Sequence, residues 1–418
     1  MSALSLEQRY FNLPEHIHSP EPTLPPGAQI LYVCDSTDGN SNGGMISGVK
    51  RTQLALEKVL KRMGYLVTVA HSQMQDSQNG QAYFRSATVP FQGQRDFKAA
   101  INVGKIGKLI REIQPDGVFV ATLEGPLGLA AALFSSFPKL IGLESRIPYI
   151  ASYTSRFHDQ VAMSVNRKLG LNLLDNNQLA HFIPVLYRAA HRILVPTKTM
   201  EEELKKLGYR DMQNRAVLWP RGVDSQEWHP PKPQEQNPYT EYDWFKAHPE
   251  LPIILYFGRV AAEKNIETYL NASLPPCHLV IIGDGSIRED LEREYSRVHF
   301  LGTHYNEGLA AYVRFASVHM FPSTTDTFGN SIVEAGASGV PTIGFKNAAG
   351  PKDIITTPER GFLINDLTEI PAAIAHCLNI NPQDCATSYM NEYSWRTAAE
   401  TLLLHLPPTP FWSQRHAT

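Results

Sequence analysis

Two short segments hold the residue types that could do chemistry together. In "YFGRVAAEKNIE" a run of strand type ends at Gly258-Arg259, and Lys264 follows just ahead of a helical pattern. Two cations at the carboxyl end of a strand, beside a helix N-terminus, make an anion site, because fixed positive charge and open backbone N–H groups converge there. Without that context the same two residues are a pair of solvated surface charges. In "TTDTFGNSIVEAGASGVP" Asp326 lies in a loop, Phe328-Gly329-Asn330-Ser331 opens a small-residue helix, and Glu334 sits one turn into it. Carboxylates so placed can accept O–H donors from a sugar while the amides of the helix start hold phosphate. The competing reading is an Asp and a Glu that only complement the helix dipole.

A third segment, "VIIGDGSIREDLE", puts Gly283, Asp284 and Gly285 at another strand end, where a missing side chain allows either close approach of a ligand or an ordinary turn. In the first half of the chain, "SNGGMISG" leads to Gly48 by a strand-to-helix turn that serves a diphosphate, a sugar or no ligand. Glu124 in "LEGPLG" is a cleft residue or a helix start. Arg221 either reaches a cleft or pairs with Asp224.

These segments need elements to hold them, and the chain has room for two cores. Its 418 residues suggest two domains of about 200 residues each. With 43% hydrophobic and 19% charged residues and a formal charge of -3, neither disorder nor a nucleic-acid surface is implied. Cys34, Cys277, Cys377 and Cys385 are too sparse for a disulfide framework and show no zinc spacing, which fits a reducing, cytoplasmic setting. No apolar run reads as a signal peptide or approaches the ~20 residues of a spanning helix, so any membrane contact is expected to be peripheral.

Strand-type runs "AQILYVCD", "YLVTVAH", "GVFVAT", "PYIASY" and "RILVPT" alternate with helical or polar stretches in the first half. After "LWPRGVDSQEWHPPKPQEQNPYTEYDW", which has the composition of a linker, a second series begins: "PIILYFG", "HLVIIGDG", "VHFLG", "VHMFPS", "PTIGF" and "GFLIN". "SQMQDSQNGQAYFRSATVPFQGQRD" reads as a long surface loop. The expected fold is α/β with two Rossmann-like parallel-sheet domains facing across a cleft. The first spans 27–220 and the second 221–391.

"FGRVAAEKN", "IIGDG", "FLG", "TDTFGNSIVEAGASGVP" and "AAGPKDII", in this order, resemble the donor-binding domain of the family 4 retaining glycosyltransferases of GT-B fold. "GVKRT", "ATLEGPLG", "SYTSRF", "ILVPTKTMEEEL" and "WPRGVD" resemble the branch with bacterial lipid mannosyl-, glucosyl- and sulfoquinovosyltransferases. "YSWRTAAETLLLHL", within 392–406, is similar to the family's last helix, and this resemblance implies that the segment returns to the first domain. The resemblance implies that Arg259 and Lys264 bind the diphosphate of a UDP- or GDP-sugar, Glu334 the ribose and Asp326 the transferred sugar. It adds Gly48, Gly258, Gly283, Asp284, Phe328, Gly329, Asn330 and Ser331 to the donor-contacting set. No cofactor is implied, and no DxD-type metal signature stands out. Family members more often carry Glu where Asp326 stands, one methylene longer. They commonly read Ser-Tyr-His-Thr where this chain has "SYTSRF", so that Thr154 takes the place of a reaction-centre His and His158 is either its replacement or an ordinary helix-start residue.

The expected activity is retaining transfer of a hexose to an acceptor hydroxyl, of a lipid or lipid-linked glycan, at the cytoplasmic membrane face. The basic helix "GVKRTQLALEKVLKRMGY" in the first domain could meet an anionic leaflet, or could simply put its apolar side in the core. Alternatives are a soluble small-molecule or polysaccharide glycosyltransferase, a sugar-nucleotide epimerase and a non-catalytic nucleotide-sugar-binding protein. A nicotinamide oxidoreductase is disfavoured because no G-x-G-x-x-G follows the first strand.

Overall fold

A computed structural model describes residues 22–35, 48–72, 81–84, 86–88, 98–100, 102–123, 125–153, 187–206 and 215–416. The chain divides into two compact units, Met1–Pro220 with Trp395–Thr418, and Arg221–Ser394. Glu124, Thr154, His158 and the "SNGGMISG" turn up to Ser47 lie outside the described residues.

In the first unit the apolar runs become β1 (Gln29–Cys34), β2 (Leu66–Ser72), β6 (Gly117–Val120), β7 (Ile150–Ser152) and β8 (Arg192–Val195). They join β3 (Gln81–Phe84) and β9 (Ala216–Leu218) in a 7-stranded sheet of order β3-β2-β1-β6-β7-β8-β9, in which all pairs are parallel. Parallel strands covered on both faces need apolar residues at consecutive positions, and Ile30 to Cys34 are all fully buried. Leu31 and Val33 meet α2 (Lys105–Ile113) and α3 (Pro126–Ser136) through Ile106, Ile110, Leu127 and Ala131. Ile30 and Tyr32 belong to the opposite cluster, with Leu56 and Leu60 of α1 (Gly48–Arg62).

The polar stretch expected to be a loop is corrected. Gln81–Phe84 pairs in parallel with β2 as the edge strand, and β4 (Ser86–Thr88) and β5 (Lys98–Ala100) form an antiparallel pair. Short edge and hairpin strands need no apolar run, which is why composition concealed them.

The second unit holds β10 (Ile253–Phe257), β11 (His278–Ile282), β12 (Val298–Phe300), β13 (Val318–Phe321), β14 (Thr342–Phe345) and β15 (Gly361–Ile364). Their order is β12-β11-β10-β13-β14-β15, again all parallel. The chain leaves β10 toward one edge of the sheet and returns to β13 on its other side, so the switch in strand order falls between these two neighbours.

The supposed linker is also corrected, because much of it is core. Trp228 stacks on Phe257 at 6.1 Å between ring centroids, and Tyr239 is fully buried. The buried Arg314 guanidinium, at the end of the helix Asn306–Arg314, bonds Glu235 at 2.8 Å and the Glu227 carbonyl at 2.7 Å. Large aromatic side chains and one well-bonded cation outweigh the prolines around them.

Near the C-terminus α7 (Trp395–His405) adds Ala398, Ala399, Leu402 and Leu403 to the cluster of α1, and its Ala398 carbonyl accepts a 2.8 Å bond from the Trp219 indole. The apolar side of α1, with Leu56 and Leu60 fully buried, is therefore spent in the core.

Candidate active site

The loops at the carboxyl ends of β10, β11 and β13 carry the residues singled out in the second unit. After β10 the chain turns at Gly258, with φ +140°, and after β11 at Gly283, with φ +147°. The two turns interlock: Gly258 N–H donates to the Ile282 carbonyl at 3.0 Å and Val260 N–H to the Asp284 carbonyl at 2.9 Å. A Cβ on Gly283 would lie 1.9 Å from the Gly258 carbonyl oxygen, and one on Gly285 would lie 2.1 Å from that of Val260. Backbone crowding between loops thus already requires these glycines, whether or not a ligand approaches them.

Arg259 follows the first turn. Its guanidinium bonds Glu263 at 2.6 Å, and its carbonyl accepts a 2.7 Å bond from the Tyr256 hydroxyl. Burial above all, and then the nearby Asp326 charge, hold the Tyr256 phenol well above its ordinary pKa, so it remains a donor. Lys264 ends the same loop, and the next residue, Asn265, takes a left-handed conformation at φ +56° to begin the following helix. Asn is among the few residues with a side chain that tolerate this geometry.

Lys264 and Asp326 meet across the switch point. The ammonium group lies 2.7 Å from one carboxylate oxygen of Asp326 and 2.8 Å from the other. Both side chains are partly covered, at 20% and 28% exposure. This contact joins the loop after β10 to the loop after β13.

Beyond Asp326 the chain reaches Phe328, buried against Tyr393, then Gly329 with φ +103° and α4 (Asn330–Ala337). The start of α4 carries no side-chain cap and no acidic residue in its first turn, an arrangement suited to an anion. Asn330 and Ser331 are half-buried there, and Glu334 is buried at 7% exposure. Asp284 is exposed, with a carboxylate oxygen 2.8 Å from the Gly285 amide.

Two close contacts fix α4 from behind. A Cβ on Gly336 would fall 2.1 Å from the Tyr389 ring, on α6 (Pro382–Met390), which accounts for the small residues of "EAGASG". Tyr389 in turn donates to the Arg360 carbonyl at 3.2 Å, and Arg360 pairs with Glu392 at 2.6 Å. In α5 (Ala349–Ile354) a Cβ on Gly350 would lie 1.9 Å from the Phe328 carbonyl oxygen, so the loop before α4 is seated directly on that helix.

The structure therefore brings Gly258, Arg259, Lys264, Gly283, Asp284, Asp326, Phe328, Gly329, Asn330, Ser331 and Glu334 to the carboxyl-end loops and the helix start of one sheet. Gly48 opens α1 in the first unit, and Arg221 is buried at the beginning of the second. Sequence reasoning missed Glu263, Tyr256 and Ser323. The Ser323 hydroxyl, just past β13, is buried without a hydrogen-bond partner. The charged residue between Arg259 and Lys264 was the available signal for the first, and nothing in spacing marked the other two. In the first unit Asp35, at the end of β1, was also missed; its carboxylate accepts from Leu127 N–H at 3.0 Å and Gly128 N–H at 3.2 Å, capping α3.

His229, Glu235 and Glu307 are the group with metal-ligand proximity among the described residues. Arg314 bonds both carboxylates, at 2.8 Å and 2.7 Å, so the group works as a clamp.

Residues 46–227 match the family model described as Glycosyltransferase Family 4, and residues 251–379 match that described as Glycosyl transferases group 1. The chain is a glycosyltransferase. This glycosyltransferase is 27% identical over 335 residues to the sulfoquinovosyl transferase SQD2 of Arabidopsis thaliana, covering 77% of the chain and 61% of that relative. It is 27% identical over 318 residues to a GDP-mannose-dependent alpha-mannosyltransferase of Corynebacterium glutamicum, covering 74% and 71%. To the alpha-monoglucosyldiacylglycerol synthase of Acholeplasma laidlawii it is 24% identical over 318 residues, covering 72% and 77%. Among solved structures, sucrose-phosphate synthase from Thermosynechococcus elongatus aligns with a TM-score of 0.67 at 17% identity over 89% of the chain and 96% of its own. HepE of Anabaena, determined in complex with UDP-glucose, aligns with a TM-score of 0.61 at 15% identity over 89% and 97%. These likenesses give the fold, the GT-B type with two Rossmann-like α/β units.

Proposed function

We propose that this glycosyltransferase moves a hexose, with retention, from a UDP- or GDP-sugar to a hydroxyl of a lipid or lipid-linked acceptor, working without a metal as a peripheral protein of the membrane's cytoplasmic face. In this proposal the second unit binds the donor and the first the acceptor. The observation that carries it is the meeting of Lys264 and Asp326 across the switch point, with Arg259 on the same loop as Lys264.

In the reaction the bond from the anomeric carbon to the donor phosphate breaks as the acceptor oxygen attacks that carbon on the same face. The acceptor proton passes to the departing phosphate oxygen. Negative charge grows on the nucleoside diphosphate, and Arg259, Lys264 and the amides at the start of α4 stabilise it. Both cations are neutralised by carboxylates before a donor arrives, Arg259 by Glu263 and Lys264 by Asp326. Donor binding is thus an exchange of partners: Lys264 turns to the diphosphate, and Asp326 is released to accept hydroxyl bonds from the sugar. Glu334, one turn into α4, takes the ribose hydroxyls. Likeness to a relative named as an alpha-monoglucosyldiacylglycerol synthase supports the lipid acceptor in this proposal.

The test is a thermal-shift panel of UDP-, GDP- and ADP-sugars followed by transfer assays with the stabilising donor. A donor at 100 times its dissociation constant should add about 2.7 kcal/mol of stability. Transfer to a lipid acceptor is expected to persist in EDTA, since the cations supply the charge a metal would bring. Complete loss on chelation, restored by Mg²⁺ or Mn²⁺, overturns the metal-free mechanism. Transfer only to soluble acceptors turns the proposal to a small-molecule or polysaccharide enzyme, and release of a free epimer without any acceptor turns it to an epimerase.

A further inference from the structure

The basic helix α1 was the sequence's candidate for a membrane face, but its apolar side is buried. Among the described residues of the first unit, Leu54 on α1 and Leu66 at the start of β2 are exposed singly, and the other exposed large apolar residues are grouped elsewhere. Leu129 and Leu133 on α3 are 40% and 46% exposed, and Phe137 and Leu140, in the turn that follows, reach 57% and 63%. The first three recur at every fourth position, so they line one side of the helix and its C-terminal extension. The opposite side of α3 supplies Leu127, Ala130 and Ala131 to the core, which makes this helix apolar in both directions. A helix apolar all round is normally covered on all sides.

The surrounding charge says what covers it. From Gly125 to Leu143 the only charged residue is Lys139, placed between Phe137 and Leu140. Among the described residues, the exposed charges on α2 and just beyond the patch are Lys105, Lys108 and Arg111, Glu112, which pairs with Lys108 at 3.5 Å, and Glu144 and Arg146. Cations therefore predominate around an apolar patch in a chain whose net charge is -3. A second copy docking through the same patch would bring these cations opposite themselves, whereas an anionic leaflet attracts them and accepts the apolar side chains.

We propose that the α2–α3 face of the first unit, with Leu129, Leu133, Phe137 and Leu140 entering the acyl region and Lys139 reaching the headgroups, docks this enzyme on an anionic bilayer. The proposal rests on the lipid-acceptor reading and names its surface. It lies on the opposite face of the β1–β9 sheet from α1, since α2 and α3 pack on the side of Leu31 and Val33, and α1 on the side of Ile30 and Tyr32.

The experiment is co-sedimentation of the full chain with phosphatidylcholine vesicles, with and without phosphatidylglycerol, at low and high salt. The wild type is compared with the variant Leu133→Ser/Phe137→Ser/Leu140→Ser and with Lys58→Ala/Lys61→Ala on α1. Wild type is expected to bind the anionic vesicles. The patch variant should lose at least about tenfold in partitioning at unchanged melting temperature, because three exposed apolar side chains no longer leave water. The α1 variant should bind like wild type. Equal binding by the patch variant, loss confined to the α1 variant, or no binding by wild type overturns the proposal. A concentration-dependent dimer, broken by the patch substitutions, overturns it in favour of a second copy. Hydrolysis of the stabilising nucleotide sugar is measured on the same samples: if vesicle binding fails while hydrolysis persists, the docking surface falls and the glycosyltransferase stands.

Discussion

Removing the Asp326 carboxylate should strengthen nucleotide binding while weakening catalysis. In the ligand-free protein both oxygens of Asp326 hold the Lys264 ammonium, at 2.7 Å and 2.8 Å, with each side chain less than a third exposed. A pair of this kind contributes about 1 kcal/mol, the upper end for partly solvated ion pairs with good geometry. A diphosphate that recruits Lys264 must forgo that contribution and also approach a carboxylate of its own sign. Asp326→Asn removes both costs. Free nucleoside diphosphate should therefore bind Asp326→Asn about fivefold more tightly than wild type, the equivalent of 1 kcal/mol. Transfer should fall by roughly two orders of magnitude, because the sugar has lost an ionised acceptor where charge develops. Lys264→Ala should lower both quantities.

Isothermal titration with the preferred nucleoside diphosphate gives the affinities, and single-turnover transfer gives the rates. The decisive comparison is the sign of the affinity change in Asp326→Asn. Weaker diphosphate binding in that variant, with the fold intact, would show that Asp326 helps to bind the phosphate end and does not compete for Lys264. Near-wild-type transfer would remove it from the sugar.

Three further outcomes are expected. Arg259→Ala should lower turnover by about two orders of magnitude, and Glu263→Gln by less, since Glu263 only holds the guanidinium at 2.6 Å; single-turnover rates check the order. His319 is fully buried between Phe257 and Thr342, and burial lowers its pKa from 6.5 to about 3, so the native state disfavours its charged form. Its contribution is complete above the unfolded-state pKa and is lost as pH falls toward the folded one; denaturant titrations should lose about 2 kcal/mol between pH 7.5 and pH 5 in wild type relative to His319→Leu. Gly350→Ala, whose Cβ would sit 1.9 Å from the Phe328 carbonyl oxygen, should displace the start of α4 and lower both melting temperature and diphosphate affinity.

The parallel sheets were legible because strands buried on both faces are written as apolar runs, as in "PIILYFG" and "HLVIIGDG". The edge strand Gln81–Phe84 was not, since one neighbour and polar flanks leave no such run. The stretch around Trp228 and Tyr239 looked like a linker because its prolines and glutamines are local signals, whereas the stacking on Phe257 and the Arg314 clamp join it to residues far along the chain. Distance in sequence hid the charge pairing as well. Lys264 and Asp326 stand 62 positions apart, and only the parallel neighbours β10 and β13 bring their loops together. α3 concealed its exposed patch for another reason: its inward and outward residues are both apolar, so no periodicity separates them.

Rigid placement and exchangeable charge are divided between backbone and side chains in the donor unit. The turns after β10 and β11 interlock through glycine backbones, Gly350 abuts the Phe328 carbonyl, and Gly336 rests on Tyr389, so the loop ends and α4 are set by contacts that leave no room even for a methyl group. The Arg360–Glu392 pair stands behind them, far better shielded than either pair at the site. Breaking a buried pair leaves an uncompensated charge, and such a pair does not open for a ligand. The Arg259–Glu263 and Lys264–Asp326 pairs are more exposed and correspondingly cheaper to open. A diphosphate can therefore take over the cations without moving the frame that aims them. Electrostatic catalysis asks for this separation, because donors that need no reorganisation during the reaction stabilise the departing charge most effectively.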